Sequence, residues 1–446
     1  MAVKHKLIKG ALILTAAGFI SRLMGFFFRI FLSHAFGEEN VGLYQLVFPV
    51  YALCLSVSTS GIQTALSRTV ARKMSLNRPG EASSVLFCAL FITVILSAAE
   101  ILIIQQNAKM IAVHFLGDAR CTELLVIISY ALPCAAIHSC ICGYSYGVQQ
   151  AGVPAVSQLV EQSMRILSVI FLFFFLKSQG STPSVSLAVA GVVIGELASA
   201  LYSARNLSRT GAAAHIPGLH SLRRSAAELI PLSLPLTANR TAVTLLQSIE
   251  AASIPACLKL YTHSASEALI LYGVLTGMAL PCILFPSAVT NSVGTMLMPA
   301  VAEKQAAGKH TDIVSLLRRT AGSCFILGLS CCLFFLLFGS FIGRFLFRSE
   351  TAGSFIMTLA WICPFLYTNS AMLSAINGLG RTTATFLINA VGLLIRIAGV
   401  FFVIPDFGIQ GYLWGLLVSQ LSVTILSVLV LRSEIKSSER IPSLEG

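Results

Sequence analysis

Residues 8–33 form an apolar stretch long enough to cross a lipid bilayer, yet two arginines lie inside it. A membrane-spanning helix needs about 20 mainly apolar residues, and each arginine near its centre costs roughly 2.5–3.5 kcal/mol on insertion scales. The arginines and two glycines follow a 4-3-4 spacing that places them on one stripe of the helix: Gly18, Arg22, Gly25 and Arg29. Arg29 could reach the membrane surface and Arg22 could pair with a carboxylate, or both could line a water-filled cavity that receives an anion.

The composition is typical of a membrane protein. The 446 residues are 56% hydrophobic and 11% charged, against about 25% charged in an average soluble domain. No nucleotide-binding loop or dinucleotide fingerprint occurs, so we expect no ATP hydrolysis and no enzymatic activity. The 12 cysteines fall mainly in apolar segments without zinc-like spacing. The net charge of +12 follows the loops, so no nucleic-acid partner is predicted.

Twelve apolar segments follow one another along the chain, and each is long enough to span a membrane as a helix. They are residues 8–33, 42–67, 83–106, 122–145, 154–176, 184–205, 228–257, 269–301, 320–346, 354–378, 382–404 and 408–432. An even number of crossings places both termini on one side. That side carries 19 of the 30 Lys and Arg residues and the other side six, which predicts cytoplasmic termini. The first segment is too long for a signal-peptide core, and we expect it to be retained.

The longest polar linker divides the predicted helices into six and six. We predict four regions: an N-terminal six-helix lobe over 1–205, a cytoplasmic linker over 206–227, a C-terminal six-helix lobe over 228–432 and a cytoplasmic tail over 433–446. Many transporters consist of two such repeats, related by an axis along the membrane normal. The predicted fold class is therefore an all-α polytopic membrane protein with about 12 transmembrane helices in two lobes.

Polar groups inside other predicted helices mark further candidate positions. Residues 56–64 of helix two are rich in hydroxyls, which could hydrogen-bond between helices or line a cavity. Glu161 and Arg165 of helix five are four residues apart, and we expect them to neutralise each other. Glu100 and Glu196 have no cation nearby in the sequence, so they could be buried and protonated or lie near the membrane surface.

Four segments resemble the MurJ and stage V sporulation protein B branch of the MOP flippases, the superfamily that contains the MATE multidrug antiporters. Residues 18–26 (GFISRLMGF) resemble the first helix of that branch, and residues 42–49 (GLYQLVFP) its following loop and second helix. Residues 271–281 (LYGVLTGMALP) and 299–303 (PAVAE) resemble its eighth helix. The likeness spans the chain, and the arginine-bearing first helix is its most specific part.

The resemblance implies a MATE-like fold whose central cavity is lined in part by helices one, two, seven and eight. A lipid-linked peptidoglycan precursor would cross the bacterial cytoplasmic membrane there by alternating access, for cell-wall or spore-cortex synthesis. Arg22 and Arg29 match by motif position the first-helix pair that meets the pyrophosphate, and Arg240 matches a helix-seven arginine by region. The spacing of seven between the first two favours the sporulation-type branch. Relatives commonly have fourteen helices, so a lipid-tail groove formed by a final pair would be absent or made differently.

We therefore predict a cationic substrate site at Arg22, Arg29 and Arg240, because forked guanidinium groups suit a diphosphate. No catalytic or metal-binding residue is predicted. The predicted helper or cavity-lining residues are Gly18, Gly25, Gln63, Arg68, Asn239 and Glu250. The predicted partners are a lipid-linked saccharide with a diphosphate, membrane lipids and cell-wall synthesis proteins. No cofactor is predicted, and Na⁺ or H⁺ could reset the carrier at a site that the sequence does not assign.

Two other functions remain open at this point. A MATE-type antiporter would use Glu161, Glu196 or Glu250 to bind protons and cationic drugs, since a shared fold does not fix the substrate. An envelope scaffold would have lost transport altogether. The sign of the charge in the cavity discriminates between the transporters, because a cation exporter needs an unpaired carboxylate where this sequence has arginine.

Overall fold

A computed structural model describes residues 2–209, 218–307 and 310–439, and within these ranges the chain is helical with no β-strand. Eleven of the described helices are long and apolar enough to cross a membrane. A twelfth crossing results if Glu350–Ala360 and Cys363–Gly378, which are bent by 54° relative to each other, form one span. The prediction of an all-α polytopic protein with about 12 transmembrane helices is therefore confirmed.

The chain divides into two compact units, Met1–Ala252 and Ser253–Gly446. The helices that begin in the first unit are α1 (Ala2–Phe36), α2 (Glu38–Leu46), α3 (Phe48–Leu55), α4 (Gly61–Ser75), α5 (Pro79–Met110), α6 (Cys121–Ser129), α7 (Ala131–Gly147), α8 (Gly152–Ser178), α9 (Ser186–Arg209) and α10 (Leu219–Thr262). Those of the second unit are α11 (Ala265–Gly273), α12 (Leu280–Leu284), α13 (Ser287–Ala306), α14 (His310–Ile342), α15 (Glu350–Ala360), α16 (Cys363–Gly378), α17 (Thr382–Phe402) and α18 (Ile404–Glu439).

Three helices extend into the predicted linker and tail. Helix α9 continues to Arg209 and α10 begins at Leu219, so helices enter both ends of the predicted linker over 206–227. Residues 210–217 of that linker lie outside the described residues. Helix α18 continues into the predicted tail because no proline occurs between Pro405 and Pro442 to end it. The division into two six-helix lobes stays a prediction.

Glycines allow the closest helix contacts of the first unit. Gly191 and Gly195 form a GxxxG motif on α9, and a Cβ atom at Gly195 would lie 2.8 Å from the carbonyl oxygen of Glu161 on α8. Gly143 and Gly147 form a second GxxxG motif on α7, where a Cβ atom at Gly143 would lie 2.9 Å from the carbonyl oxygen of Gln63 on α4. Small residues of this kind let membrane helices approach each other at backbone distance.

Four π-helical segments interrupt the described helices, at Ser56–Ser60, Ile111–Phe115, Val274–Ala279 and Gly343–Phe347. The first of them contains hydroxyls of the polar stretch predicted in helix two. The hydroxyl of Ser58 donates to the carbonyl of Cys54 at 3.1 Å, and that of Thr59 donates to the carbonyl of Leu55 at 2.6 Å. Both side chains are buried. These hydroxyls therefore bond to their own helix inside the unit.

Candidate functional site

The predicted cationic stripe of α1 divides into an exposed and a half-buried part. The Arg22 side chain is exposed, and within the described part of the chain its guanidinium has no ion-pair or hydrogen-bond partner. A Cβ atom at Gly18 would meet nothing within 4 Å, whereas one at Gly25 would lie 3.3 Å from Nε2 of Gln162 on α8. Arg29 is half-buried and interacts electrostatically with Tyr44 of α2. The stripe thus leaves Arg22 open and places Arg29 against neighbouring helices.

Helix α10 presents Arg240 and Asn239 as exposed side chains. No ion pair of the Arg240 guanidinium occurs among residues 2–209, 218–307 and 310–439. The adjacent Thr241 turns inward, and its hydroxyl lies 3.3 Å from that of Ser56. Glu250, further along the helix, is 5% exposed. One face of helix α10 therefore packs on the π-helical segment at Ser56–Ser60. Another face leaves Arg240 accessible.

The two helper residues predicted on α4 have different environments. Gln63 is half-buried, and its backbone carbonyl and side-chain stem contact Gly143 of α7. Arg68, one and a half turns further along, is exposed. Gln63 therefore packs between helices, and Arg68 is an accessible cation.

A second group of charged residues lies inside the first unit, and we call it the buried ionic cluster. It consists of Tyr51 on α3, His138 on α7, Glu161 and Arg165 on α8 and Glu196 on α9. The Arg165 guanidinium pairs with the Glu161 carboxylate, as their spacing predicted. Tyr51 donates a hydrogen bond of 3.1 Å from its hydroxyl to Oε1 of Glu196. The Oε2 atom of Glu196 lies 3.7 Å from Nδ1 of His138.

Close helix packing brings the members of the buried ionic cluster together. The Cβ atom that Gly195 lacks would lie 3.2 Å from Cβ of Arg165, so any larger residue would push α9 away from α8. Glu196 follows this glycine directly and therefore lies at the α8–α9 contact. Ser157 of α8 connects the cluster to α7, because its hydroxyl lies 2.9 Å from Nε2 of His138. Glu196 and Ser157 are 7% and 0% exposed, so the cluster belongs to the interior of the unit.

Three members of the cluster could in principle hold a metal ion. One ligand atom from each of His138, Glu161 and Glu196 lies within 4.8 Å of the others. The guanidinium of Arg165 already pairs with Glu161, however, and would lie beside any bound ion. The three possible ligands therefore already have the cationic Arg165 beside them, and they do not fit a divalent metal ion well.

Two further titratable residues lie in the same unit. Tyr44 lies near both Arg29 and Arg165, which places the first-helix stripe beside the cluster. Both carboxylate oxygens of Glu100 on α5 are shielded from solvent and accept no hydrogen bond from the described residues. Ser58 of the first π-helical segment lies beside this carboxylate. Of the two environments that the sequence left open for Glu100, the structure therefore shows the buried one.

No local sequence pattern marks His138 or Tyr51 as a site residue. Their partner Glu196 lies 58 and 145 positions away in the chain, so no local spacing indicates the contacts. One signal was available, since the GxxxG motif at Gly191 and Gly195 marks a close helix contact immediately before Glu196. That motif predicts that a neighbouring helix lies against the carboxylate, although it does not say which one.

Membrane-spanning helices with a buried ionic cluster and exposed intramembrane arginines define a multi-pass membrane protein. Its fold is similar to that of a solved multidrug resistance MATE family transporter of the MOP superfamily in an inward-facing conformation. The two share a TM-score of 0.72 at 15% sequence identity, covering 95% of this chain and 96% of that one. The family model described as "Polysaccharide biosynthesis protein" matches residues 7–305, and the chain belongs to that family.

Two curated relatives from Bacillus subtilis (strain 168) identify the branch of the family. Stage V sporulation protein B is 27% identical over 430 residues, which cover 95% of this chain and 83% of that protein. Lipid II flippase MurJ is 25% identical over 326 residues, which cover 69% of this chain and 60% of that protein. The expected membership in the MurJ and stage V sporulation protein B branch of the MOP superfamily is therefore confirmed.

Proposed function

We propose that this protein is a flippase that moves a lipid-linked saccharide with a diphosphate from the inner to the outer leaflet of a bacterial cytoplasmic membrane. The carrier works by alternating access, and both of its termini lie in the cytoplasm. The substrate is the peptidoglycan precursor lipid II or a related polysaccharide unit on an undecaprenyl diphosphate. This function contributes to the synthesis of the cell wall or of the spore cortex.

The observation that carries the proposal is the accessibility of Arg22 and Arg240. Charged residues within membrane-spanning helices normally face an interior and pair with another group. Both guanidinium groups are exposed within candidate membrane spans, without an ion-pair partner in the described part of the chain. A diphosphate supplies the missing anion, because its oxygens accept paired hydrogen bonds from a guanidinium fork.

The relatives support the substrate class. The curated names of the two relatives are a sporulation protein and a lipid II flippase, and the family is described by polysaccharide biosynthesis. A driving force is available without ATP, since an inside-negative potential favours outward movement of negative charge by about 2.3 kcal/mol per charge per 100 mV. The sequence contains no nucleotide-binding loop through which ATP hydrolysis would supply another source of energy for transport.

The test measures precursor exposure at the outer leaflet in cells depleted of their other flippases. Wild type is expected to restore exposure, and the double variant Arg22→Ala/Arg240→Ala is expected to lose at least about tenfold in rate. Hydrogen bonds to charged groups contribute roughly 1.5–3 kcal/mol each, and 1.4 kcal/mol corresponds to a factor of ten. Arg22→Lys keeps the charge but loses the fork, so an intermediate rate is expected.

Arg223→Ala is the matched control, because it removes an exposed arginine near the beginning of the same helix α10. Equal exposure in wild type, the double variant and this control would contradict the cationic site. Failure of wild type, together with efflux of a cationic dye that depends on Glu250, would favour the antiporter. Failure of both, with recruitment of cell-wall enzymes retained, would favour the scaffold.

A further inference from the structure

Polar groups flank both ring nitrogens of His138. Nε2 lies 2.9 Å from the hydroxyl of Ser157, which also lies 3.0 Å from the carbonyl oxygen of Pro154 and 3.7 Å from Sγ of Cys142. A serine hydroxyl has one proton to donate and can still accept, so it can pair with Nε2 whether or not that nitrogen carries a proton. A neutral imidazole carries one ring proton, and a doubly protonated imidazole carries two.

Nδ1 of His138 faces a carboxylate. It lies 3.7 Å from Oε2 of Glu196. The other carboxylate oxygen, Oε1, accepts the hydrogen bond from Tyr51, but Oε2 is buried and accepts no hydrogen bond from the described residues. A buried carboxylate oxygen without a partner is costly, and a positive charge on the adjacent imidazole ring stabilises it.

We propose that His138 and Glu196 form a binding site for one exchangeable proton inside the first unit. The imidazole ring takes up the proton, and the charge of the pair changes from −1 to 0. The remaining protein bonds are compatible with both states, because Tyr51 and Ser157 hold the outer atoms of the two side chains in place. The site is accessible to exchange, since the His138 side chain is 15% exposed.

The charges of the cluster favour a proton over a divalent metal. Glu161 and Arg165 already neutralise each other, so the His138–Glu196 pair carries the single negative charge of the four contacting groups. A divalent ion would reverse that charge to +1 in a buried environment, which is unfavourable. A proton brings the total to zero. An imidazole nitrogen is also a poor ligand for Na⁺, since hard cations select oxygen ligands.

The proton responds to every charged or titratable group that faces it. Helix α8 contributes Glu161 and Arg165, and α1 contributes the more distant Arg29. Tyr44 comes from α2 and Tyr51 from α3. Cys134 and Cys142 lie on α7 itself. Among them, the ion pair of Glu161 and Arg165 contributes opposite charges that largely cancel. Glu196 is therefore the carboxylate of the cluster that faces His138 and is not paired with Arg165.

The proposed role of the site rests on the proposed function. If the protein is a flippase, binding and release of this proton couple a proton gradient to the movement of the substrate. The site lies in the same unit as Arg22 and Arg240, and Tyr44 connects its neighbour Arg165 to Arg29 of the first helix. Proton binding itself is a property of the folded protein and does not require the substrate.

The first experiment measures the proton directly, by nitrogen NMR of histidine-labelled full-length protein in lipid nanodiscs as the pH is varied. The His138 signal is identified by its loss in His138→Gln. In wild type this signal is expected to change from a neutral to a doubly protonated ring as the pH falls. In Glu196→Gln the signal is expected to titrate at a lower pH, because the neutral amide no longer stabilises the positive charge of the doubly protonated ring. His114→Gln removes an exposed histidine and is the matched control.

Three outcomes would overturn the proton site. They are a His138 signal that does not titrate in folded wild type, a titration unchanged in Glu196→Gln, and Zn²⁺ or Mn²⁺ binding by calorimetry that is lost in His138→Gln. Outer-leaflet exposure is then measured in vesicles with and without an imposed pH gradient. A wild-type rate that responds to the gradient, with no response in Glu196→Gln, supports coupling. Active but gradient-independent wild type refutes coupling alone, and inactive wild type with a titrating His138 refutes the proposed function alone.

Discussion

The hydroxyl of Tyr51 donates a hydrogen bond of 3.1 Å to Oε1 of Glu196, and this contact joins the second and sixth predicted membrane segments. Tyr51→Phe removes the donor and keeps the ring. A buried carboxylate oxygen then lacks a partner, which is expected to lower the free energy of unfolding by about 1–3 kcal/mol. Thermal unfolding in detergent measures the loss. Tyr130→Phe changes an exposed tyrosine and is expected to stay within about 0.5 kcal/mol of wild type; equal effects of the two variants would contradict the prediction.

Gly61 is the point at which helix α4 touches helix α10. A Cβ atom there would lie 2.0 Å from Oγ1 and 2.4 Å from the backbone nitrogen of Thr237. The clash includes backbone, so a rotamer change cannot relieve it. Gly61→Ala is expected to destabilise the protein by about 1–3 kcal/mol, the usual cost of overpacking.

Gly80→Ala is the control for this variant, because a Cβ atom at Gly80 would meet nothing within 4 Å. It lies in the first turn of α5, where alanine is a better helix former than glycine, and unchanged or slightly higher stability is expected. The measurement is the unfolding temperature of both variants in the same detergent. If Gly61→Ala matched Gly80→Ala, the close crossing of α4 and α10 would be wrong.

Lys73 is buried and donates to two carboxylates, Glu81 at 2.7 Å and Glu228 at 3.0 Å. It thereby ties α4 to α5 and to the beginning of α10. Lys73→Met is expected to lower the unfolding temperature, since Glu81 and Glu228 then lose their buried cation and keep only exposed arginines as ion-pair partners. Adding Glu81→Gln and Glu228→Gln to Lys73→Met is expected to restore much of the lost unfolding temperature.

Lys259→Met serves as the control for Lys73, since it removes an exposed lysine. Its unfolding temperature is expected to stay close to that of wild type. A triple variant as unstable as Lys73→Met alone would show that lost packing of the lysine stem, and not charge, sets the effect.

The spanning helices could be predicted from the sequence because their signal is local. A run of about 20 apolar residues has few stable alternatives to a membrane helix. The pair of Glu161 and Arg165 was predictable for the same reason, since four residues in a helix place both side chains on one face. The ends of α9 and α10 were harder to predict, because a helix that leaves the bilayer can continue into polar sequence.

The interior of the site could not be predicted in the same way. His138, Tyr51 and Glu196 come from three helices, and only tertiary packing brings them together. The positions of Arg22 and Arg240 on exposed faces agree with the expectation of accessible cations, and their role in binding stays a prediction. Arg29 differs from Arg22 although both lie on one predicted stripe, because α8 and α2 cover only part of that stripe.

The π-helical segment at Ser56–Ser60 has a consequence for how this chain can be compared with its relatives. Such a segment holds one residue more than an α-helix of the same length, and each residue turns the helix by about 100°. Deleting one residue there would restore a plain α-helix of nearly the same length and angular span, so the residues beyond it would keep their faces. Gly61 would still face Thr237, and Gln63 would still face Gly143. A relative that lacks the extra residue therefore aligns with this chain only across a one-residue gap, and substitutions read without that gap would be assigned to the wrong side of the helix.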